Sequence, residues 1–219
     1  MSKTVQVDYY TDVLCVWAWI AQRRIDELNA TLTDKIELRY HYLDVFGDVE
    51  NKISRQWSDK DGYKGFAAHV HESAAPYDDA PINTDIWHSI RPTSSANAHL
   101  VLKAAELAYG RQESIKLALV FRQAFFVQAK DISQLDTLFS LIDTAGLDLL
   151  LVKNALNDGS AMAALMHDYQ QAKSQNLKGS PTYIIDNGRQ LLYGNVGYRV
   201  LLANIEEQLK TPSNEASWC

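Results

Sequence analysis

The chain has 219 residues, of which 47% are hydrophobic and 22% are charged, so it is long enough and apolar enough to fold around a sizeable core. No apolar stretch in it has the length of a membrane-spanning helix. The formal net charge of −6 argues against nucleic acid or an anionic membrane surface as the main partner.

The cysteine content and the first residues indicate a cellular location. Two cysteines, Cys15 and Cys219, are too few for a disulfide framework. The opening "MSKTVQVDYY" shows no apolar signal core and enters a strand-like run almost at once. Together these features predict a cytoplasmic, reducing location.

Hydrophobic periodicity divides the chain into three zones. The first, about residues 4 to 44, reads strand, helix, strand in "VQVDYY", "WIAQRRIDELNATL" and "IELRYHYL". The second begins as an irregular stretch rich in aromatic residues and becomes strongly helical after "RPTSS", with four or five helices. The third returns to strands in "PTYIID" and "RQLLYG", joined by an Asn187-Gly188 turn, and closes with the amphipathic run "VGYRVLLANIEEQL".

These zones predict an α/β protein in which a helical insertion splits one βαβ–ββα domain. The boundaries are 1–47 for the N-terminal half, 48–176 for the inserted helical domain and 177–210 for the C-terminal half. Residues 211–219 are predicted to be a mobile tail.

Cys15 occupies the point where the first strand hands over to the first helix. Unpaired amides and the helix dipole at a helix N-terminus stabilise a thiolate and lower the thiol pKa. The alternative is a small buried hydrophobic residue, which is common for a free cysteine. In the last zone "GSPT" places Pro181 at the entry of a strand, where proline is tolerated and is sometimes cis.

The combination of these features resembles the DsbA-like thioredoxin superfamily, and within it the FrnE-like branch, which is related to 2-hydroxychromene-2-carboxylate isomerases and kappa-class glutathione transferases. The stretches that carry the resemblance are "DVLCVWAWIAQ", "RPTSSANAHLVLKAAELAYG", "FRQAFFVQAKDIS" and "LKGSPTYIIDNGRQLLYGNVGYRVLLANIEEQL". The resemblance implies a thioredoxin fold with a helical domain inserted in its middle. It places Cys15 on the attacking cysteine and Ala18 on the second cysteine. It also places Ser180, Pro181 and Thr182 on the cis-proline loop, where the backbone of Ser180 pairs with a bound peptide or glutathione.

The chain departs from this pattern inside the active-site motif, Cys15-Val16-Trp17-Ala18. Ala18 cannot release a mixed disulfide, which takes a second thiolate. Trp17 offers no proton donor near the sulfur except its indole N–H, so we expect a moderately acidified thiol at most. The sequence therefore predicts a thiol-disulfide oxidoreductase that acts through Cys15 as a single nucleophile and is resolved by an external thiol.

Two other functions remain open at this point. One is a glutathione-dependent isomerase or transferase of small aromatic compounds. Kappa-class relatives, however, carry serine at the reactive position and an acid near the start of the last helix, which "GNVGYRV" lacks. The other is a non-catalytic binding protein of the same fold. The expected partners are a thiol or disulfide substrate, either a peptide or glutathione, or a small aromatic ligand. The sequence predicts no obligatory cofactor, with glutathione as the candidate if one is bound. The oligomeric state is left open.

Three further features bear on the site. The tail after Lys210 can span up to about 30 Å, so Cys219 is a candidate distant resolving thiol or an incidental terminal cysteine. Asp12 is expected to cap the first helix or to pack at the strand end, and His41 is expected to alternate out of the sheet to solvent. The "HVHE" run at 69–72 does not predict a metal site. On a helix the two histidines point apart, and on a strand they lack a third ligand nearby.

Overall fold

The centre of the protein is a four-stranded sheet. The computed structural model describes residues 4–210. The strands are β1 (Val5–Thr11), β2 (Ile36–Tyr42), β3 (Thr182–Ile185) and β4 (Gln190–Tyr193), in the order β2-β1-β3-β4. β1 runs parallel to β2 and antiparallel to β3, and β3 pairs antiparallel with β4. β3 is buried along its whole length, as its central position requires.

Of the α-helices among the described residues, two belong to the thioredoxin-like part, and the other seven lie in the connection between β2 and β3. Helix α1 (Val16–Thr31) connects β1 to β2, and α9 (Tyr198–Leu209) follows β4. Between β2 and β3 lie α2 (Val49–Gln56), α3 (Gly62–Ala74), α4 (Ala96–Tyr109), α5 (Arg111–Phe126), α6 (Leu135–Thr144), α7 (Leu149–Asn157) and α8 (Ser160–Ser174). The predicted thioredoxin fold with helices inserted in its middle is confirmed.

A continuous apolar core joins the sheet to the inserted helices. Tyr9 and Tyr40 from the strands belong to the same buried cluster as Leu102 of α4 and Phe121 of α5. The division at residues 47 and 176 stays a prediction, and the tail 211–219 lies outside the described residues. Within the described part, no helix is both long and apolar enough to cross a bilayer.

The stretch between β2 and α4 is more regular than the sequence predicts. It was expected to be irregular, and this is wrong, because it contains α2, a short 3-10 turn (Ser58–Lys60) and α3. Helix α2 buries only Val49 and Ile53, so its hydrophobic period is too short to be recognised. The aromatic residues of this stretch serve mainly to pack it down: Trp87 is fully buried, stacks on Phe46 and meets Phe66 edge-on.

A chain of charged side chains links the sheet to the insertion. On β2, His41 contacts Asp168 of α8 through Nδ1 (3.0 Å) and Asp8 of β1 through Nε2 (3.1 Å), and Lys103 of α4 also contacts Asp168 (3.1 Å). The alternation of the strand predicts that His41 points to solvent, and this is wrong. Its side chain instead contacts the carboxylates of both Asp168 and Asp8. Burial lowers the pKa of His41, but the hydrogen bonds to Asp168 and Asp8 outweigh it, and the net pKa is raised.

This network predicts a pH-dependent stability. Because the folded-state pKa of His41 is raised, its contribution is fully present below pH 6.5 and is lost as the pH rises through the folded-state pKa. We expect His41→Gln to lower the free energy of unfolding by about 1–3 kcal/mol in the acidic range, the contribution typical of hydrogen bonds to charged groups. Urea unfolding across this pH range measures the difference. His167→Gln, at an exposed neighbour of Asp168, is the control. An equal loss at acidic and alkaline pH would contradict the assignment.

Candidate active site

Cys15 is held against the loop that precedes β3. It is the N-cap residue of α1, and its Sγ donates a hydrogen bond to the carbonyl oxygen of Ser180 at 3.3 Å. The Ser180–Pro181 peptide bond is cis. Thr182 begins β3 and donates its hydroxyl to the carbonyl of Gly179 at 2.6 Å. The structure thus brings Cys15 and the loop 180–182 together, although they lie 165 residues apart in the chain.

A buried carboxylate fixes both sides of this contact. Asp12 is fully buried; its Oδ1 accepts the amide of Leu14 (2.9 Å), and its Oδ2 accepts the amide of Phe46 (2.9 Å) and the hydroxyl of Ser95 (2.8 Å). Its own amide donates to Oγ of Ser180 at 2.9 Å. Asp12 therefore does not cap α1. It joins the end of β1 to the start of α4 and to the Ser180 loop.

The polar groups behind the thiol are fully buried, and burial shifts their pKa values. Burial raises the pKa of Asp12 to about 6, while its hydrogen bonds from the Leu14 and Phe46 amides oppose the rise. Burial, and then the charge of Arg122, lowers the pKa of His99 to about 3. His99 is therefore neutral at physiological pH, and its Nε2 accepts the amide of Val13 at 3.2 Å. The N-terminal turn before Cys15 is thus held by buried acceptors on both sides.

The thiol is not acidified, which corrects the sequence-based expectation. Burial is the largest influence and raises the pKa of Cys15, and the charge of Asp12 adds to the rise. The contact with Ser180 and the amides of Ala18 and Trp17 oppose it without outweighing it. A helix N-terminus favours a thiolate only when burial does not cost more. The residue is 5% exposed.

A cleft of about 360 Å³ opens beside the sulfur. Of the aromatic residues in the stretch between β2 and α4, Trp57 and Phe66 line it, whereas Tyr63, Tyr77 and Trp87 do not. The lining also includes His69 of the "HVHE" run and three side chains that the sequence did not single out, namely Lys52, Lys178 and Tyr193. Lys52 comes from the unpredicted helix α2, so no local pattern could have placed it here.

The remaining motif residues lie on the first turn of α1. Val16 and Trp17 line the cleft, whereas Ala18 is fully buried and its amide donates to the Cys15 carbonyl at 3.1 Å. Cys15 is a free cysteine, and the described residues hold no second one. Cys219, the candidate distant resolving thiol, lies outside the described residues. Among residues 4–210, no group of three His, Cys, Asp or Glu side chains is arranged to hold a metal ion.

The sheet, the inserted helices and a cysteine against a cis-proline loop define a thioredoxin-fold protein with a helical insertion. The chain belongs to the family of DSBA-like thioredoxin domains, whose model matches residues 6–206.

Two curated relatives carry the same name. The chain is similar to the ClpXP adapter protein SpxH of Halalkalibacterium halodurans, with 26% identity over 218 residues, 94% of this chain and 68% of the relative. It is also similar to the SpxH of Bacillus subtilis, with 25% identity over 188 residues, 85% of this chain and 60% of the relative. The chain therefore spans only about two thirds of the length of these relatives.

Solved structures show the same fold. The cytosolic disulfide reductase DsbM of Pseudomonas aeruginosa aligns with a TM-score of 0.67 and 18% identity, covering 91% of this chain and 97% of that one. A 2-hydroxychromene-2-carboxylate isomerase aligns with a TM-score of 0.64 and 15% identity, covering 97% and 100%. The predicted resemblance to the DsbA-like superfamily is thus confirmed at the level of the fold.

The environment of Cys15 predicts its titration. We expect the rate of Cys15 alkylation by iodoacetamide to rise with a midpoint above about 8.5, the value of a free thiol. Burial favours the neutral form, and unfolding in urea should return the midpoint to about that value. The measurement uses Cys219→Ser as background, so that one thiol reports. A folded-state midpoint below the unfolded one would overturn this prediction.

Proposed function

We propose that the protein is a cytoplasmic thiol-disulfide exchange protein that works through Cys15 as a single nucleophile. The contact between Cys15 Sγ and the carbonyl of Ser180, beside an open cleft, is the observation that carries the proposal. It leaves the sulfur next to the backbone on which an extended substrate would pair. Ser180, Pro181 and Thr182 then form the docking loop.

The exchange balances without a second protein thiol. The Cys15 thiolate attacks one sulfur of a substrate disulfide, a bond forms between the two sulfurs, and the other substrate half leaves as a thiolate that takes up a proton. An external thiol, for which glutathione is our candidate, then attacks the substrate sulfur and releases Cys15. The substrate ends in a new disulfide with the external thiol, so no net electrons are gained or lost.

A non-catalytic binding function is the second candidate. The raised pKa of the Cys15 thiol favours it, because the fraction of reactive thiolate at neutral pH is small. The curated relatives are named as ClpXP adapters, which is a binding function. A third candidate, a glutathione-dependent isomerase or transferase of small aromatic compounds, has weaker support. It is supported by a structural neighbour and by the aromatic lining of the cleft.

Restoring the second thiol separates turnover from binding. We expect Ala18→Cys to increase disulfide reduction at least about tenfold, because the new thiol lies one turn from Cys15 and can release the mixed disulfide. The assay is insulin reduction with glutathione as the electron source. Ala21→Cys is the matched control. It is equally buried in α1, but it lies about 9 Å along the helix from Cys15, beyond disulfide reach.

The unmodified thiol is tested in parallel. The protein, in a Cys219→Ser background, should gain one glutathione at Cys15 when it is incubated with oxidised glutathione, and Cys15→Ser should gain none. Mass spectrometry of the intact protein and of its peptides locates the adduct. If Ala18→Cys stays inactive and wild type takes up no glutathione, thiol exchange is excluded and the binding function takes its place.

A further inference from the structure

The cleft beside Cys15 continues into two further lobes. Val45, Lys52 and Gln56 line all three spaces, so the lobes adjoin the cleft and each other at these side chains. The lobes measure about 470 and 540 Å³ and extend the cleft between α2 and α8, past Tyr169. We call the three spaces together the basic groove. Each lobe alone falls within the range of a small-ligand site, so the groove has room for more than a small thiol.

Among the charged side chains of residues 4–210 that line the groove, the basic ones outnumber the acidic ones by four to two. The basic ones are Lys52 and Arg55 of α2, Lys173 of α8 and Lys178 of the loop before β3. None of these four forms an ion pair within the described residues. The acids in the lining are Asp44 and Asp48, and Asp48 already accepts the Asn51 amide at the start of α2. The groove is therefore a positive surface on a chain whose net charge is −6.

Lys52 stands at the junction of the three spaces. Its Nζ lies 5.0 Å from the centre of the Phe46 ring and donates to Oε1 of Gln56 at 3.2 Å. A lysine laid over an aromatic ring keeps its stem packed and its charged end at the surface of the groove. This cation, which lines the cleft beside the thiol, is thus held in place by packing, without a carboxylate partner among the described residues.

The loop that borders the groove carries unused backbone donors. Within residues 4–210, the amides of Lys178, Gly179 and Ser180 donate no hydrogen bond to the protein. All three residues line the cleft beside Cys15, and Lys178 and Gly179 also line the adjoining lobe. A run of unpaired amides next to a strand is the usual means by which a protein binds an extended polypeptide.

We propose that the basic groove binds an extended, acidic polypeptide segment and delivers a cysteine of that segment to Cys15. The backbone of the segment pairs with the amides of residues 178–180. Its carboxylates lie along Lys52, Lys173, Lys178 and Arg55. This rests on the proposed thiol exchange for its covalent step, in which the segment enters as a disulfide, but the binding step is independent of that chemistry.

The test measures binding and chemistry separately. Short fluorescent peptides of equal length, with acidic, neutral or basic flanks and serine in place of cysteine, report non-covalent binding by anisotropy. The acidic peptide should bind about tenfold more tightly than the basic one, and the preference should weaken with added salt. Lys173→Glu and Arg55→Glu should each weaken the binding of the acidic peptide by about threefold to tenfold. Lys116→Glu, the same charge change on the exposed outer side of α5, should not.

The reactivity of Cys15 is followed with 2-hydroxyethyl disulfide, which is neutral and small, in the same variants. Its rate should be the same in Lys116→Glu, which lies outside the groove, and in wild type. If this reagent reacts with Cys15 and no peptide preference exists, the groove inference is overturned and the proposed function stands. If peptides bind as expected and Cys15 does not react, the binding step is supported and thiol exchange falls. Tighter binding of a single-stranded oligonucleotide than of the acidic peptide, or equal binding of glutathione, would overturn the polypeptide as occupant.

Discussion

The site depends on one buried carboxylate. The Asp12 carboxylate accepts two amides and a hydroxyl, and the Asp12 backbone amide donates to Ser180. The end of β1, the segment after β2, the start of α4 and the cis-proline loop therefore meet at a single residue. A buried charge is tolerated only with such a full set of donors. The arrangement is costly for the chemistry, because the same charge stands near Cys15 and helps to raise the thiol pKa. Precise placement of the sulfur and its acidification are therefore in conflict in this protein.

Lys52 is a charged neighbour that can offset this effect on the thiol. The pKa of Lys52 is lowered by burial, and a thiolate at Cys15 would raise it, so the two groups favour each other's charge. An anionic substrate bound beside Lys52 would work against that help, whereas exclusion of water from the cleft would strengthen it. The reactivity of Cys15 thus depends on what occupies the groove. For this reason the proposed binding and the proposed exchange need separate measurements.

The pKa values of His41 and Cys15 are properties that the sequence does not predict, because they depend on long-range contacts. Strand and helix periodicity, the Asn187-Gly188 turn and the cysteine at a strand-helix junction are local signals, and they were sufficient for the sheet, α1 and α9. The pairing of Cys15 with the Ser180 loop was implied by the resemblance to the DsbA-like superfamily and not by any local signal. The pKa of Cys15 and the partners of His41 depend on contacts with segments more than thirty residues away in the chain. The position of Lys52 depends on α2, a helix with only two buried residues. No local pattern encodes such contacts, because they arise only when the insertion packs on the sheet.

The missing second thiol and the raised pKa act in the same direction. A thiol of high pKa is a poor leaving group in disulfide exchange. Once Cys15 is linked to a substrate, an external thiol that attacks the substrate sulfur must expel the buried Cys15 thiolate, and Ala18 offers no faster route. The mixed disulfide is therefore slow both to form and to break. Such kinetics suit a protein that holds a partner covalently for a time better than one that turns over many substrates.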